Sequence, residues 1–139
     1  GSDHAPHTLA EKAKPYPESP SGMPGVQTLL PAMLTLALRD ELADLPTLAK
    51  LMAENPARLY GIPSKGQVRL GYDADLVLID RDDVWEFLRS DVQSKCGWSP
   101  FEGVVFHGRP LLTLLGGKVT MREGLPEGEP SGRVLTFEP

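Results

Sequence analysis

The sequence predicts an α/β chain that opens on a long loop, passes through short helices and ends in a small β module. Three observations carry this. Pro6, Pro15, Pro17, Pro20 and Pro24 forbid a continuous helix over residues 1–25. Apolar residues then recur every three or four positions from Val26, and beyond Pro63 that period gives way to alternation and short apolar runs.

Taken in order, the opening loop carries the punctuation of a functional one, with Gly22 and Gly25 supplying turns. Val26, Leu29, Leu30, Met33, Leu34 and Ala37 share one face of an amphipathic helix that ends near Arg39. A second helix starts at about Pro46, with Asp44 as its cap and Leu45, Leu48 and Met52 on one face. Asn55-Pro56 predicts a further short helix, capped by the Asn and ended by Gly61. The strand candidates are the alternating Val68 and Leu70, the apolar run 76–79 between Asp75 and Asp80, and residues 104–106. Residues 111–115 and 118–121 flank Gly116-Gly117, a two-residue hairpin turn. Residues 123–132 read as loop and 134–137 as an edge strand, and no internal repeat is present.

Composition narrows the function classes. The 139 residues, 40% apolar, suffice for one core or part of a larger one, but a complete eight-stranded α/β barrel needs roughly 250. Glycine and proline, 14 each, predict many turns without reaching a disorder signature. A formal charge of −5 and no clustered Lys or Arg argue against nucleic acid and for a small-molecule substrate. The single cysteine, Cys96, permits no internal disulfide and suits a reducing cytoplasm, where it reads as a small half-buried residue. No apolar run approaches the roughly 20 residues of a membrane span, and the N-terminus has no export signal.

The chemistry-bearing residues open the chain, as Asp3-His4-Ala5-Pro6-His7. An Asp and two His within five positions suit a metal, but Pro6 prevents the regular i, i+4 helical presentation; a solvated polar loop is the alternative. The segment resembles the eighth barrel strand and following loop of the dihydroorotases, within the amidohydrolase superfamily. The likeness continues through Pro20-Ser21-Gly22, Met23-Pro24-Gly25-Val26-Gln27-Thr28, Glu54-Asn55-Pro56-Ala57-Arg58, Gly71-Tyr72-Asp73-Ala74-Asp75-Leu76-Val77 and Ser99-Pro100-Phe101-Glu102-Gly103. It covers nearly the whole chain, to about Gly124. Asn-Pro-Ala and Asp-Ala-Asp-Leu-Val are shared with hydantoinases and allantoinases, whereas Asp3 to His7 is narrower and matches dihydroorotases.

The resemblance implies the C-terminal end of a TIM-type (β/α)8 metal-dependent hydrolase barrel plus strands of a small β-sandwich. Residues 1–63 would be the last strand, active-site loop and helices of the barrel. Residues 64–139 would be the accessory module and tail, its sandwich completed by an N-terminal segment outside this chain. Asp3 would end a barrel strand, ligate a metal, take a proton from the attacking hydroxide and pass it to the leaving nitrogen. His7, with backbone groups of Ser21 and Gly22, would hold the substrate carboxylate. His4 has no assigned role beyond support, and His107 is expected at the surface.

The family's metal site, zinc with one or two ions, also needs a His-x-His pair, a carboxylated lysine and two further His, and this chain has three His in all. The remainder would come from missing sequence or another chain, and the 139 residues alone are expected to be inactive. Gly1-Ser2 reads either as native or as a cloning remnant. The implied activity is reversible interconversion of dihydroorotate and N-carbamoyl-aspartate in pyrimidine biosynthesis, with a homo-oligomer or an aspartate transcarbamoylase as partners. The alternatives are a hydantoinase/allantoinase-like cyclic amidase and a non-catalytic subunit supporting a transcarbamoylase; intact Asp3 and His7 argue against the latter.

Overall fold

The structure, a computed structural model, describes residues 1–137; the end of the expected tail, 138–139, lies outside them. Within the opening loop, α1 (Leu9–Lys12) forms one turn that the proline pattern concealed. Its cause is a capping box: the Glu11 N–H donates to Thr8 Oγ1 at 3.3 Å and the Thr8 N–H to Glu11 Oε2 at 2.7 Å. That backbone donor holds the Glu11 carboxyl below the usual range.

Helix α2 (Leu29–Leu38) starts three residues later than the apolar period implies, because residues 26–28 form a turn that leaves Val26 59% exposed. Helix α3 (Leu45–Ala49) begins as expected, with Asp44 Oδ1 accepting the Thr47 N–H at 2.8 Å. Leu48 then packs with Leu34 and Ala37, flanked by Leu30, Met33, Leu38, Leu45, Met52 and Ile79.

The predicted break at Asn55 does not occur. A π-helical turn, Lys50–Glu54, carries α3 straight into α4 (Asn55–Leu59), and Asn55 is helical, at φ −64° and ψ −44°, so it is no cap. Pro56 explains the widening. A proline inside an α-helix lacks a donor and clashes with the carbonyl four residues back, which a wider turn relieves. The Asn55 N–H reaches back five residues, to Lys50. Gly61, at φ +59°, follows the end of the helix.

Four strands form one antiparallel sheet in sequence order: β1 (Leu76–Glu86), β2 (Val105–Leu115), β3 (Lys118–Arg122) and β4 (Leu125–Pro126). Gly116 and Gly117, both at positive φ, make the predicted hairpin turn, with Leu115 opposite Lys118. The two strand candidates at 104–106 and 111–115 merge into one strand. Gly108 and Pro110 are tolerated inside it because the pairing shifts there, between Asp80 and Val84 and between Leu78 and Ile79 of β1.

Other expectations fail for want of a partner. Val68 and Leu70 are 88% and 99% exposed and belong to no strand, since no neighbouring backbone among the described residues offers hydrogen bonds to them. Residues 134–137 likewise form no strand, whereas β4 arises inside the expected loop by pairing with Met121 and Arg122. His107 is half-buried rather than at the surface, because β2 lies against α2. Cys96 is half-buried, as expected.

The sheet and helix layers meet at α2 and β2. Thr35 Oγ1 donates to the Pro31 carbonyl and accepts the His107 N–H, both at 2.9 Å. Trp85, Phe87, Phe101 and Phe106 stack at centroid distances of 5.4–6.1 Å, burying Phe87 and Phe106. Lys65 bridges Asp73 and Asp75, and Arg133 joins at Asp73, binding the tail to the turn before β1. The Lys65 ammonium holds the Asp75 and Asp73 carboxyls below their usual range. Among the described residues no helix is long and apolar enough to cross a membrane.

At Gly108 (φ +85°) a Cβ would lie 2.7 Å from Leu38 Cδ1 and 3.3 Å from Leu34 Cβ. Gly108→Ala is therefore expected to destabilise the full-length protein by about 1–3 kcal/mol, combining backbone strain with overpacking. Thermal or denaturant unfolding checks this; an unchanged midpoint would show that α2 need not approach β2 so closely.

Candidate functional site

Two segments lie side by side, residues 2–5 and residues 22–26. A parallel bridge joins His4 to Met23, and the Ala5 N–H donates to the Met23 carbonyl at 2.9 Å. Two glycines let the backbones approach. A Cβ on Gly22 would stand 2.5 Å from Ala5 Cβ, and one on Gly25 would stand 2.7 Å from the Ser2 carbonyl oxygen.

Asp3 occupies the left-handed region at φ +45°, a conformation that Asp enters more readily than most residues. It is exposed, and its carboxylate makes no hydrogen bond or ion pair among the described residues. No strand forms at residues 1–3, where the resemblance implies that Asp3 ends one; the pairing is confined to the single bridge of His4 with Met23.

The imidazole of His4 turns towards the second segment. Its Nδ1 accepts the N–H groups of Gly25 and Val26, at 3.2 and 3.4 Å. An accepting Nδ1 carries no proton, so in the neutral ring the proton sits on Nε2. His4 is thus a tie between the segments, which gives physical content to its expected supporting role.

His7 is half-buried and held through its backbone. Its N–H donates to the Ala5 carbonyl at 2.9 Å, and its carbonyl accepts the indole N–H of Trp98 at 2.7 Å. Its imidazole bonds to nothing among the described residues. Lys12 Nζ donates to the carbonyls of Pro20 and Gly22, at 2.7 and 3.1 Å, and among the described residues the N–H groups of Ser21 and Gly22 meet no acceptor. Asp3 and Gly22 lie on these two segments and His7 and Ser21 just beyond their ends; among the described residues the Asp3 carboxylate, the His7 imidazole and the N–H groups of Ser21 and Gly22 have no hydrogen-bond partner.

Sequence reasoning missed Lys12, Gln27 and Trp98. Thr8 and Glu11 had a readable signal in their capping-box spacing. Trp98 had none, since it lies 91 residues from His7.

No three of His, Cys, Asp and Glu converge into a metal set among the described residues. The carboxylate of Asp3 could supply one metal ligand, whereas a zinc site takes about four. A hollow of about 180 Å³ adjoins the site, lined by His4, Pro24, Gln27, Val92, Trp98 and Ser99. The larger groove, about 1470 Å³, opens between Leu30, Leu48, Met52 and Ile79 and contains none of the predicted site residues.

A model of the amidohydrolase family matches residues 15–120. The chain is 37% identical over 139 residues to the dihydroorotase of Methanothermobacter thermautotrophicus, covering 99% of this chain and 32% of that protein. It is 50% identical over 103 residues to the dihydroorotase of Halobacterium salinarum, covering 74% of this chain and 24% of that one. The chain thus spans about a third or less of these relatives.

Among solved structures, the L-hydantoinase of Arthrobacter aurescens superimposes with a TM-score of 0.76 at 36% identity, over 81% of this chain and 25% of that one. The dihydropyrimidinase of Brevibacillus agri NCHU1002 gives 0.84 at 25% identity, over 91% and 28%. These neighbours agree with the expected fold class, the C-terminal end of a TIM-type (β/α)8 barrel plus strands of a small β-sandwich.

The contact between Gly22 and Ala5 has a measurable consequence. Gly22→Ala is expected to destabilise the full-length protein by about 1–3 kcal/mol, and adding Ala5→Gly should recover part of it by removing the clashing methyl. Unfolding curves of the single and double variants measure this coupling. Strict additivity would contradict the contact.

Proposed function

The chain belongs to the amidohydrolase family, and from that premise we propose that it forms the C-terminal part of a dihydroorotase. Such an enzyme reversibly hydrolyses the cyclic amide of dihydroorotate to N-carbamoyl-aspartate, in pyrimidine biosynthesis and in the cytoplasm. The observation that carries this reading is the Asp3-His4-Ala5-Pro6-His7 segment, held against residues 22–26 with its Asp3 carboxylate and His7 imidazole uncommitted. The similarity to proteins named dihydroorotase supports it.

In this reading residues 1–63 belong to the barrel and 64–139 to the accessory module. The rest of the barrel, as further sequence or a second chain, supplies the remaining ligands of one or two zinc ions. When bound, zinc activates water and polarises the amide carbonyl. Asp3 would serve as one ligand, and its other carboxylate oxygen takes the proton of the attacking hydroxide. As the ring C–N bond breaks, Asp3 hands that proton to the leaving nitrogen.

His7 donates a charge-assisted hydrogen bond to the substrate carboxylate, and the N–H groups of Ser21 and Gly22 complete its anchoring. A homo-oligomer or an aspartate transcarbamoylase would be the assembly partner. A hydantoinase-like cyclic amidase is the second reading, favoured by the 36% identity to the L-hydantoinase. It keeps the role of Asp3 but leaves His7 without an anion to hold.

Variants of the full-length protein test the roles. Asp3→Asn is expected to lower kcat by at least about 10²-fold, the scale of a general base, with a smaller change in KM. His7→Ala is expected to keep metal content and raise KM by roughly 10- to 150-fold, the scale of one charge-assisted hydrogen bond. Loss of metal in His7→Ala would make His7 a ligand, and a near-normal kcat in Asp3→Asn would make Asp3 structural.

A further inference from the structure

Residues 87–104, which connect β1 to β2, grip the site segments at two places. The indole N–H of Trp98 donates to the His7 carbonyl at 2.7 Å. At the second grip Gln27 Nε2 donates to the Asp91 carbonyl at 2.6 Å, while its Oε1 accepts the Gln93 N–H at 3.0 Å. The hollow lined by His4, Gln27, Val92 and Trp98 lies at these contacts.

A half-buried tryptophan needs no role beyond packing. Here, however, its single polar atom is committed to the backbone of one residue, the one whose ring is free to meet a ligand. The His7 N–H is also engaged, by Ala5, so both polar backbone groups of His7 are tied while its imidazole is not. A backbone restrained on both sides limits where the imidazole can stand. A group that must meet an anion at hydrogen-bond distance needs that restraint, because errors of about 1 Å are costly.

We propose that Trp98 is a positioning residue that sets the His7 imidazole for the substrate carboxylate by holding the His7 carbonyl. This rests on the reading of His7 given above. It makes the β1–β2 connection part of the apparatus for substrate recognition by way of the His7 backbone. Gln27 restrains the other segment, so the same connection fixes both halves of the site relative to one another.

The test uses Trp98→Phe in the full-length protein, which keeps an aromatic ring and deletes the donor. KM for dihydroorotate is expected to rise about 3- to 10-fold, the scale of one neutral hydrogen bond, with kcat changed less than about twofold and metal content unchanged. In a His7→Ala background the same substitution is expected to add nothing to KM, because no imidazole remains to be placed. Hydrogen exchange should also accelerate at the amides of residues 5–9 in Trp98→Phe.

An equal KM penalty in both backgrounds would overturn the positioning role and leave Trp98 structural. Unchanged exchange at residues 5–9 would overturn the grip itself. A full-length protein inactive on dihydroorotate overturns the reading of His7 and with it the role given to Trp98, whereas activity with an additive cycle overturns Trp98 alone.

Discussion

Helix α2 lies on strand β2 at residue 108, where the lack of a side chain lets Leu38 and Leu34 come close. Gly108, at φ +85°, leaves room for Leu38 and Leu34, and the approach brings Thr35 Oγ1 to 2.9 Å from the His107 N–H. The rest of the molecule follows from that contact. Residues 22–28 run directly into α2, so a helix fixed to the sheet fixes the end of the loop. The loop then lies along residues 2–5, by way of the Ala5–Met23 hydrogen bond and the His4 ring. The β1–β2 connection closes the circuit at Gln27 and His7.

Much of this order was legible in the sequence wherever a local cause decided the outcome. Asp44 caps α3 because a short carboxylate before a proline-containing first turn satisfies the Thr47 amide. Gly116-Gly117 turns the hairpin because both residues must take positive φ. The failures came where partners decide. Asn55-Pro56 has the signature of a helix start, yet the π turn before it absorbs the proline and keeps the helix continuous. Val68 and Leu70 alternate like a strand but have no backbone to pair with. His107 looked like a surface residue because nothing near it in sequence announces α2.

The candidate site divides the same way. The motif resemblance names Asp3, His7, Ser21 and Gly22 and expects Gly22 to let its backbone approach the substrate; what the structure shows at Gly22 is close approach to Ala5. The residues that hold them in place were illegible. Lys12, Gln27 and Trp98 act through contacts 8 to 91 residues away, and side-chain donors aimed at backbone carbonyls leave no periodic trace.

Membership of the amidohydrolase family sets the architecture, and the choice among cyclic amides then rests on one negative charge. Dihydroorotate and dihydrouracil share a six-membered cyclic amide ring and differ in a single ring carboxylate. In the proposed reading that carboxylate is what the His7 imidazole and the N–H groups of Ser21 and Gly22 would hold, and a site built around a polar group rejects the analogue that lacks it. Steady-state kinetics of the full-length protein on the two compounds is therefore the most direct measurement. The account predicts a kcat/KM for dihydroorotate higher by at least about 10²-fold, the value of one or two charge-assisted hydrogen bonds. An equal or higher kcat/KM for dihydrouracil would contradict it.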